Sequence, residues 1–198
     1  MTARDPLDRY YTPDALARAC LRAVAELVNN EPARVLEPYA GGGAFMRAAR
    51  RLWPQVDVAG CDIDPEAPAL TAPEGLQVQV CPAAEWEPSP WPVPWVVSNP
   101  PYRDVYETVA EARALQARCH GSRLGLLLRA TVLSRLMTSE DPPAHVFLAR
   151  QRPRWGGPGG DGHRASDRVD AAWCVWEREV VYRTELHPLD WRAAGRQA

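Results

Sequence analysis

The sequence contains no lysine, and all 23 of its basic residues are arginine. They are balanced by 25 acidic residues, which gives a formal net charge of −2. A chain with this balance has no global excess of positive charge to attract nucleic acid, although it can still carry a local basic face. We attribute the missing lysine to a GC-rich genome and draw no mechanism from it.

Closely spaced metal ligands are also missing. The five cysteines include no Cys-x-x-Cys pair: Cys20, Cys61, Cys81, Cys119 and Cys174. The four histidines are far apart, and no two have the spacing of ligands: His120, His145, His163 and His187. Reduced thiols in a cytoplasmic protein fit this pattern better than a disulfide framework or a zinc site. The sequence therefore predicts a cytoplasmic location and no metal site.

Long apolar segments are absent as well. Apart from the short strand described next, the longest strongly apolar run is Leu124–Leu128, which is far too short to cross a bilayer. The first nine residues are charged and have no apolar core of the kind a signal peptide needs. The 198 residues suffice for one domain with a proper core. We expect a single domain over 1–198, without a separate target-recognition domain.

The most informative stretch is Trp95–Tyr102, in which a short apolar run ends at Asn-Pro-Pro-Tyr. The run predicts a buried strand, and two prolines stop it abruptly. Because Pro100 holds Asn99 in an extended conformation, an amide, a bare carbonyl and an aromatic ring meet at the strand end. The Asn99 and Pro100 oxygens can accept both hydrogens of a planar amino group, on which Tyr102 can stack. The alternative is an ordinary turn after a strand.

A strand, a glycine loop and a helix earlier in the chain form the pattern of a nucleotide-cofactor crossover. The strand is Arg34–Pro38, the loop is Gly41–Gly43, and the following helix ends at Trp53-Pro54. Glycines let a ligand approach the backbone closely, and the helix start adds free N–H groups. A pyrophosphate-binding NAD site is disfavoured, because Met46 stands where the third glycine of that fingerprint belongs.

The stretch Val56–Pro65 contains the second predicted strand. Asp62 ends this strand, about twenty residues after the glycine loop. An acidic side chain at that place commonly binds the ribose diol of a nucleotide cofactor. An isolated aspartate at a strand end would more often cap a helix. Because Asp62 follows this glycine loop, we favour ribose binding as the function of its side chain.

The remaining elements follow from capping and periodicity. Thr12 suits an N-cap and Pro13 the first helical position, which predicts a helix that closes at Asn29-Asn30. A third strand is predicted at Leu76–Val80, followed by a rigid, proline-rich connection over 82–94. After it, we expect a helix over 104–119, a strand at Arg123–Leu128, a short helix at Val132–Met137, an apolar stretch at His145–Ala149 and a final strand or hairpin over Ala171–Tyr182.

Residues Gln151–Asp170 combine several arginines with five glycines between Gly156 and Gly162. One interpretation is a flexible surface loop whose arginines are solvated or pair with neighbouring aspartates. The other is a mobile segment that binds nucleic acid, with arginines on phosphates and one aromatic ring stacked on a base. Under the second interpretation the substrate-binding residues are Arg152, Arg154, Trp155 and Arg164.

Four motifs stand in order along the chain: Tyr-Tyr-Thr-Pro at Tyr10, Leu-Glu-Pro-Tyr-Ala-Gly-Gly-Gly-Ala-Phe at Leu36, Cys-Asp-Ile-Asp-Pro at Cys61 and Ser-Asn-Pro-Pro-Tyr at Ser98. This set resembles the S-adenosylmethionine-dependent amino-methyltransferases, most closely the small DNA adenine-N6 methyltransferases often carried by phages and prophages. Trp173–Trp176 is similar to a late Trp-Phe-Val-Trp strand of the phage group. The resemblance covers about Tyr10 to Tyr182. It implies an α/β class I methyltransferase fold: a Rossmann-like, seven-stranded, mainly parallel sheet with helices on both faces and a reversed final strand.

The resemblance also implies a cofactor, S-adenosylmethionine, and roles for individual residues. The catalytic positions would be Asn99, Pro100, Pro101 and Tyr102. The cofactor-binding positions would be Tyr11, Thr12 and Pro13 at the methionine end, Glu37, Pro38, Gly41 and Gly43 beneath it, and Asp62 and Ile63 at the ribose and adenine. The family usually has an aspartate at the end of the third strand. Cys81-Pro82-Ala83-Ala84-Glu85 stands there instead, so either Glu85 substitutes or the contact is lost.

Several substrates remain open at this stage. The favoured reaction is methyl transfer to the N6 amino group of adenine in DNA, so that nucleic acid is the expected partner and membrane contact is not expected. A protein-glutamine or an RNA-adenine methyltransferase uses the same chemistry. A catalytically degenerate binding subunit would explain the departure near Glu85, but the intact Asn-Pro-Pro-Tyr argues against it. Specificity is expected to come from the arginine segment or from a specificity partner.

Overall fold

The protein is described here as a computed structural model over residues 9–89, 91–153, 155–156 and 170–192. Within those ranges, one mixed sheet contains the strands β1 Arg34–Pro38, β2 Asp57–Asp62, β3 Gln77–Val80, β4 Pro94–Ser98, β5 Arg123–Arg129, β6 His145–Ala149, β7 Ala171–Glu177 and β8 Glu185–Leu189. The α-helices are α1 Asp14–Val28, α2 Ala44–Leu52, α3 Val105–Arg118 and α4 Leu133–Met137. Short 3-10 turns lie at Pro68–Thr71, Ala83–Glu85 and Ala130–Val132.

Across the residues that the structure describes, the sheet has eight strands, in the order β3-β2-β1-β4-β5-β7-β6-β8. The first five strands of the chain are parallel to one another. β7 runs antiparallel to both of its neighbours, β5 and β6, and β8 is parallel to β6. A reversed strand is therefore present, as expected, but it is not the last strand.

The eighth strand corrects the expectation of a seven-stranded sheet. The stretch predicted as one final strand or hairpin ends as a strand at Glu177, and the chain pairs again at Glu185–Leu189 along β6. Most of β8 is exposed or half-buried, and it contains Pro188. An edge strand tolerates proline and needs no regular apolar alternation, which removes the pattern by which a strand is recognised.

Helices cover both faces of the sheet, as the resemblance implied. On one face, α1 and α2 pack over a core in which Phe45 stacks on Trp173 at 5.1 Å between ring centroids. On the other face, α3 packs over a second core that includes Leu115, Leu124 and Trp176. In the described part of the chain, no helix is long and apolar enough to cross a membrane.

The start of α1 differs from its prediction. The helix begins at Asp14, and Pro13 rather than Thr12 occupies the N-cap position, without a side-chain cap hydrogen bond. Asp14 instead forms ion pairs with Arg47 and Arg51, at 2.7 and 2.8 Å, which join α1 to α2. Burial alone would raise the pKa of Asp14, but the hydrogen bonds and charges of the two arginines lower it overall. The helix ends as predicted, with Asn29 in the left-handed conformation.

Strand direction determines where a ligand can bind. β4 is buried along its whole length and lies beside β1, which in turn lies beside β2. Because these strands are parallel, their carboxyl ends meet at one edge of the sheet. The glycine loop after β1, Asp62 at the end of β2 and Asn99 after β4 therefore lie together there, as ligand sites in open α/β sheets usually do.

Candidate active site

The glycine loop is held in place by the buried carboxylate of Glu37. Glu37 is 3% exposed, and its Oε2 accepts a hydrogen bond of 3.1 Å from the N–H of Met46 in the first turn of α2. Gly43 occupies the N-cap position of that helix with φ +73°. It has no side chain that could accept a hydrogen bond from the first turn, so Glu37 caps the helix instead. A Cβ added at Gly43 would lie 2.6 Å from Leu76 Cδ1. Burial, the largest effect, raises the pKa of Glu37 to about 8.

Asp62 connects the end of β2 to the same loop. Its Oδ2 accepts the N–H of Gly41 at 2.6 Å, and its Oδ1 accepts the N–H of Asp64 at 2.8 Å. Burial raises the pKa of its carboxyl group. Its side chain therefore holds the loop rather than a helix start, which counts against the alternative of a simple helix cap. The next residue, Ile63, is 61% exposed beside it.

The N-terminal segment lies over the glycine loop. The ring of Tyr11 packs on Gly41 and Gly42, where added Cβ atoms would approach the ring to 3.3 and 3.5 Å. The backbone of Tyr11 pairs reciprocally with Gly156, through two hydrogen bonds of 2.9 Å. The Tyr-Tyr-Thr-Pro motif thus covers the loop and connects it to the arginine–glycine segment.

Asn99 stands at the centre of a hydrogen-bond network. Its Nδ2 donates to the carbonyl of Tyr10 at 2.9 Å, and its Oδ1 accepts the hydroxyl hydrogen of Tyr102 at 2.6 Å. The hydroxyl of Ser98, just before it, donates to the carbonyl of Pro38. The amide is therefore fixed in orientation from both sides, and its oxygen keeps one further acceptor site.

The ring of Tyr102 is flanked by an arginine and a tryptophan. The guanidinium carbon of Arg129 lies 4.9 Å from the ring centroid, and the ring of Trp155 meets it edge-on at 6.3 Å. The Nε of Arg129 is buried and has no hydrogen-bond partner within the described residues. A cation over the ring and an unpaired buried N–H give this side of Asn99 a positive character.

The arginine–glycine segment departs in part from its predicted form. Trp155 is only 3% exposed and belongs to the core under α1, so it is not an exposed stacking surface in this structure. Tertiary packing beside Tyr102 outweighs the loop-like composition around it. Arg152 forms an exposed ion pair of 2.8 Å with Asp170, as the alternative of paired arginines anticipated. Arg154 and Arg164 lie outside the described residues.

An open cleft lies where these groups meet, with about 660 Å³ of empty space that includes open solvent. The predicted site residues that line it are Tyr11, Thr12, Glu37, Gly41, Asp62, Ile63, Asn99 and Pro101. The other predicted site residues are not part of its lining: Pro13, Pro38, Gly43, Pro100, Tyr102 and Glu85. Glu85 is exposed on the turn after β3 and does not line the cleft.

Among the other lining residues, Arg9, Tyr39 and Asp64 carry polar groups to which the sequence analysis gave no role. Arg9 and Asp64 approach each other to 3.6 Å at its rim. Tyr39 donates its hydroxyl hydrogen to Glu111, and burial, the largest effect, raises the pKa of that phenol well above its usual range. Arg9 and Asp64 come from segments far apart in the chain, so no local spacing connects them.

No protein-family model matches the sequence, and no curated protein does. In contrast, 134 chains of solved structures are similar in fold. One is a Listeria monocytogenes protein assigned to the class I S-adenosylmethionine-dependent methyltransferases, with a TM-score of 0.66, 11% identity and coverage of 93% of this chain and 67% of that one. Another is the methyltransferase subunit of a type I restriction-modification system from Streptococcus thermophilus, with a TM-score of 0.64, 11% identity and 91% and 47% coverage. A third is a Pyrococcus horikoshii protein assigned as an RNA methyltransferase, with a TM-score of 0.60, 14% identity and 91% and 94% coverage.

The chain has the fold of these methyltransferases. It spans about half the length of the restriction-modification subunit and nearly all of the Pyrococcus protein. At such low identity the likeness concerns the fold alone.

Proposed function

We propose that this protein transfers a methyl group from S-adenosylmethionine to the N6 amino group of adenine in DNA. The observation that carries the proposal is that a single cleft contains both Asp62 and Asn99, together with the glycine loop. One wall of the cleft suits a nucleoside cofactor, and the other suits a planar amine. A donor and an acceptor bound on these two walls would lie side by side.

The first wall fits S-adenosylmethionine by its chemistry. The buried carboxylate of Glu37 would favour a cationic group beside it, which the methionine end of the cofactor has. The carboxylate of Asp62 keeps acceptor capacity for a ribose hydroxyl after its backbone contacts. The exposed side chain of Ile63 offers apolar surface to a planar base. When bound, S-adenosylmethionine would supply an electrophilic methyl group; the C–S bond would break as the N–C bond forms, S-adenosylhomocysteine would leave as a neutral thioether, and the nitrogen would lose one proton to water.

The second wall acts on the amine. An exocyclic amino nitrogen is a poor nucleophile, because its lone pair is delocalised into the ring. If Asn99 Oδ1 and the carbonyl of Pro100 accept its two hydrogens, they favour the pyramidal, partly positive nitrogen of the transition state. Proximity and alignment of the two reactants contribute a further 7–11 kcal/mol, as a rough range.

Tyr102 and Arg129 would prepare this wall for a base. In the structure described here the hydroxyl of Tyr102 already donates to Asn99 Oδ1, which keeps that oxygen directed toward the strand end. An adenine in a duplex would have to be flipped out of the helix to reach it. The guanidinium of Arg129, which lies over the ring of Tyr102, would add positive charge beside that ring.

DNA is preferred over RNA on the resemblance of the motifs to the phage-type DNA methyltransferases. The similar restriction-modification subunit is in line with this choice, and with a separate specificity partner. The similar Pyrococcus protein is assigned to RNA, so RNA adenine is the second candidate. Protein glutamine and a non-catalytic binding subunit are the remaining alternatives.

The deciding experiment is methyl transfer from S-adenosylmethionine carrying a tritiated methyl group, with DNA, RNA and protein tested in parallel. The proposal predicts that the parent protein incorporates tritiated methyl groups into DNA. The Asn99→Ala variant should incorporate none. Incorporation into RNA alone would select the second candidate. Incorporation into none of them, with normal cofactor binding by calorimetry, would indicate a binding subunit.

A further inference from the structure

A cluster of three metal-ligating side chains lies outside the cleft, on strands β6 and β8. Nδ1 of His145 is 3.3 Å from Nε2 of His187. Oε2 of Glu185 is 3.6 Å from the first of these nitrogens and 3.8 Å from the second. The same three atoms therefore form a nearly regular triangle.

Strand register produces this cluster. β6 and β8 are parallel, with His145 opposite Glu185 and Phe147 opposite His187. Residues two apart in a strand share a face, so all four side chains lie on the same side of the sheet. Phe147 stacks on the imidazole of His187 at 4.7 Å between centroids, which holds that ring in place. The two histidines are distant in sequence, which is why the spacing of the histidines predicted no metal site.

The triangle has the dimensions of a metal site. A circle through three atoms with separations of 3.3, 3.6 and 3.8 Å has a radius of about 2.1 Å, which is the length of a zinc–nitrogen or zinc–oxygen bond. If the three ligand atoms moved slightly closer together, the ion would lie out of their plane. A fourth coordination position would then be open to water. Two imidazoles and a carboxylate form a recurrent ligand set for zinc.

We propose that His145, Glu185 and His187 bind a zinc ion. The side chains are 18%, 52% and 24% exposed, so an ion can enter from solvent. The site lies at the amino ends of β6 and β8, at the opposite end of the sheet from the cleft. Zinc there connects the edge strand β8 to β6 and stabilises the fold without taking part in methyl transfer.

The competing account is a hydrogen bond between the two imidazoles beside an unrelated surface carboxylate. The two accounts differ in what happens when zinc is supplied. The test uses the full chain, with any affinity tag removed, treated with chelator and then dialysed against zinc chloride. Elemental analysis gives bound zinc per chain, and thermal unfolding with and without zinc gives its effect on stability.

The proposal predicts one zinc per chain and a higher Tm with zinc. His145→Ala and His187→Ala should lose both effects, while the matched control His120→Ala, an exposed histidine outside the cluster, should keep them. Glu185→Gln changes a half-exposed side chain without altering its shape, and it should weaken zinc affinity about tenfold or more even if an alanine variant folds poorly. Absence of zinc from the parent protein would overturn the proposal. Equal zinc in the parent, His145→Ala and His187→Ala would overturn it too, since other residues would then hold the ion.

Discussion

Replacing Glu37 by glutamine tests how the glycine loop is built. Glutamine has the same shape and can still accept the N–H of Met46, but it cannot ionise. Burial raises the pKa of Glu37 from 4.5 to about 8, so between these values the folded chain holds a proton that the unfolded chain releases. The stability that Glu37 contributes is therefore full below about pH 4.5 and is lost as the pH rises through about 8. At 1.36 kcal/mol per pKa unit, the parent should lose roughly 3–5 kcal/mol relative to Glu37→Gln over that range.

Urea unfolding of both proteins at several pH values between these limits measures the difference. Glu107→Gln, which removes an exposed glutamate of α3, controls for the loss of one negative charge. Saturating S-adenosylmethionine should flatten the curve of the parent, because its cationic end favours the ionised carboxylate. S-adenosylmethionine should bind to the Glu37→Gln variant with a free energy less favourable by roughly 1.5–3 kcal/mol, which is the contribution of a hydrogen bond to a charged group. A stability difference that does not change with pH would refute the buried, protonated Glu37.

Other variants test the remaining parts of the account. Asn99→Ala should lower turnover by about 3–4 kcal/mol of transition-state stabilisation with nearly normal cofactor binding, and turnover within threefold of the parent would contradict its role. Asp62→Ala should weaken S-adenosylmethionine by about 2 kcal/mol or more in titration calorimetry, whereas an unchanged Kd would leave Asp62 only its loop contacts. Gly125→Ala should destabilise the protein by about 1–3 kcal/mol or more in urea unfolding, because its Cβ would lie 2.2 Å from Trp173, and an unchanged midpoint would contradict that packing. Arg154→Ala combined with Arg164→Ala should flatten the log–log salt dependence of DNA binding by about 1.8, and an unaltered slope would leave those arginines solvated.

Most of the sheet could be predicted because its strands carry their own signals. β1 ends at a proline, and β4 is a short apolar run followed by Asn99 and two prolines. The structure has both strands as predicted, with β4 one residue longer. The loop of Gly41–Gly43 and the helix after it follow from glycine placement and a 3.6-residue apolar period. These are local properties, and the strand order then brings Asp62 and Asn99 into one cleft.

The parts that were missed depend on tertiary contacts. β8 is an edge strand, so its side chains follow no apolar pattern. Trp155 lies among glycines and arginines typical of a surface loop, yet it is buried beside Tyr102. His145 and His187 meet only through the pairing of two distant strands. No spacing in the sequence records such pairings.

The central claim is that Asn99 and its neighbours present an adenine amino group to the methyl donor. The most direct measurement is mass spectrometry of nucleosides from unmethylated DNA incubated with the protein and S-adenosylmethionine, with the Asn99→Ala variant in parallel. The account predicts N6-methyladenine with the parent protein and none with the variant. Methylation at another position of DNA, or N6-methyladenine at equal levels with both proteins, would contradict it.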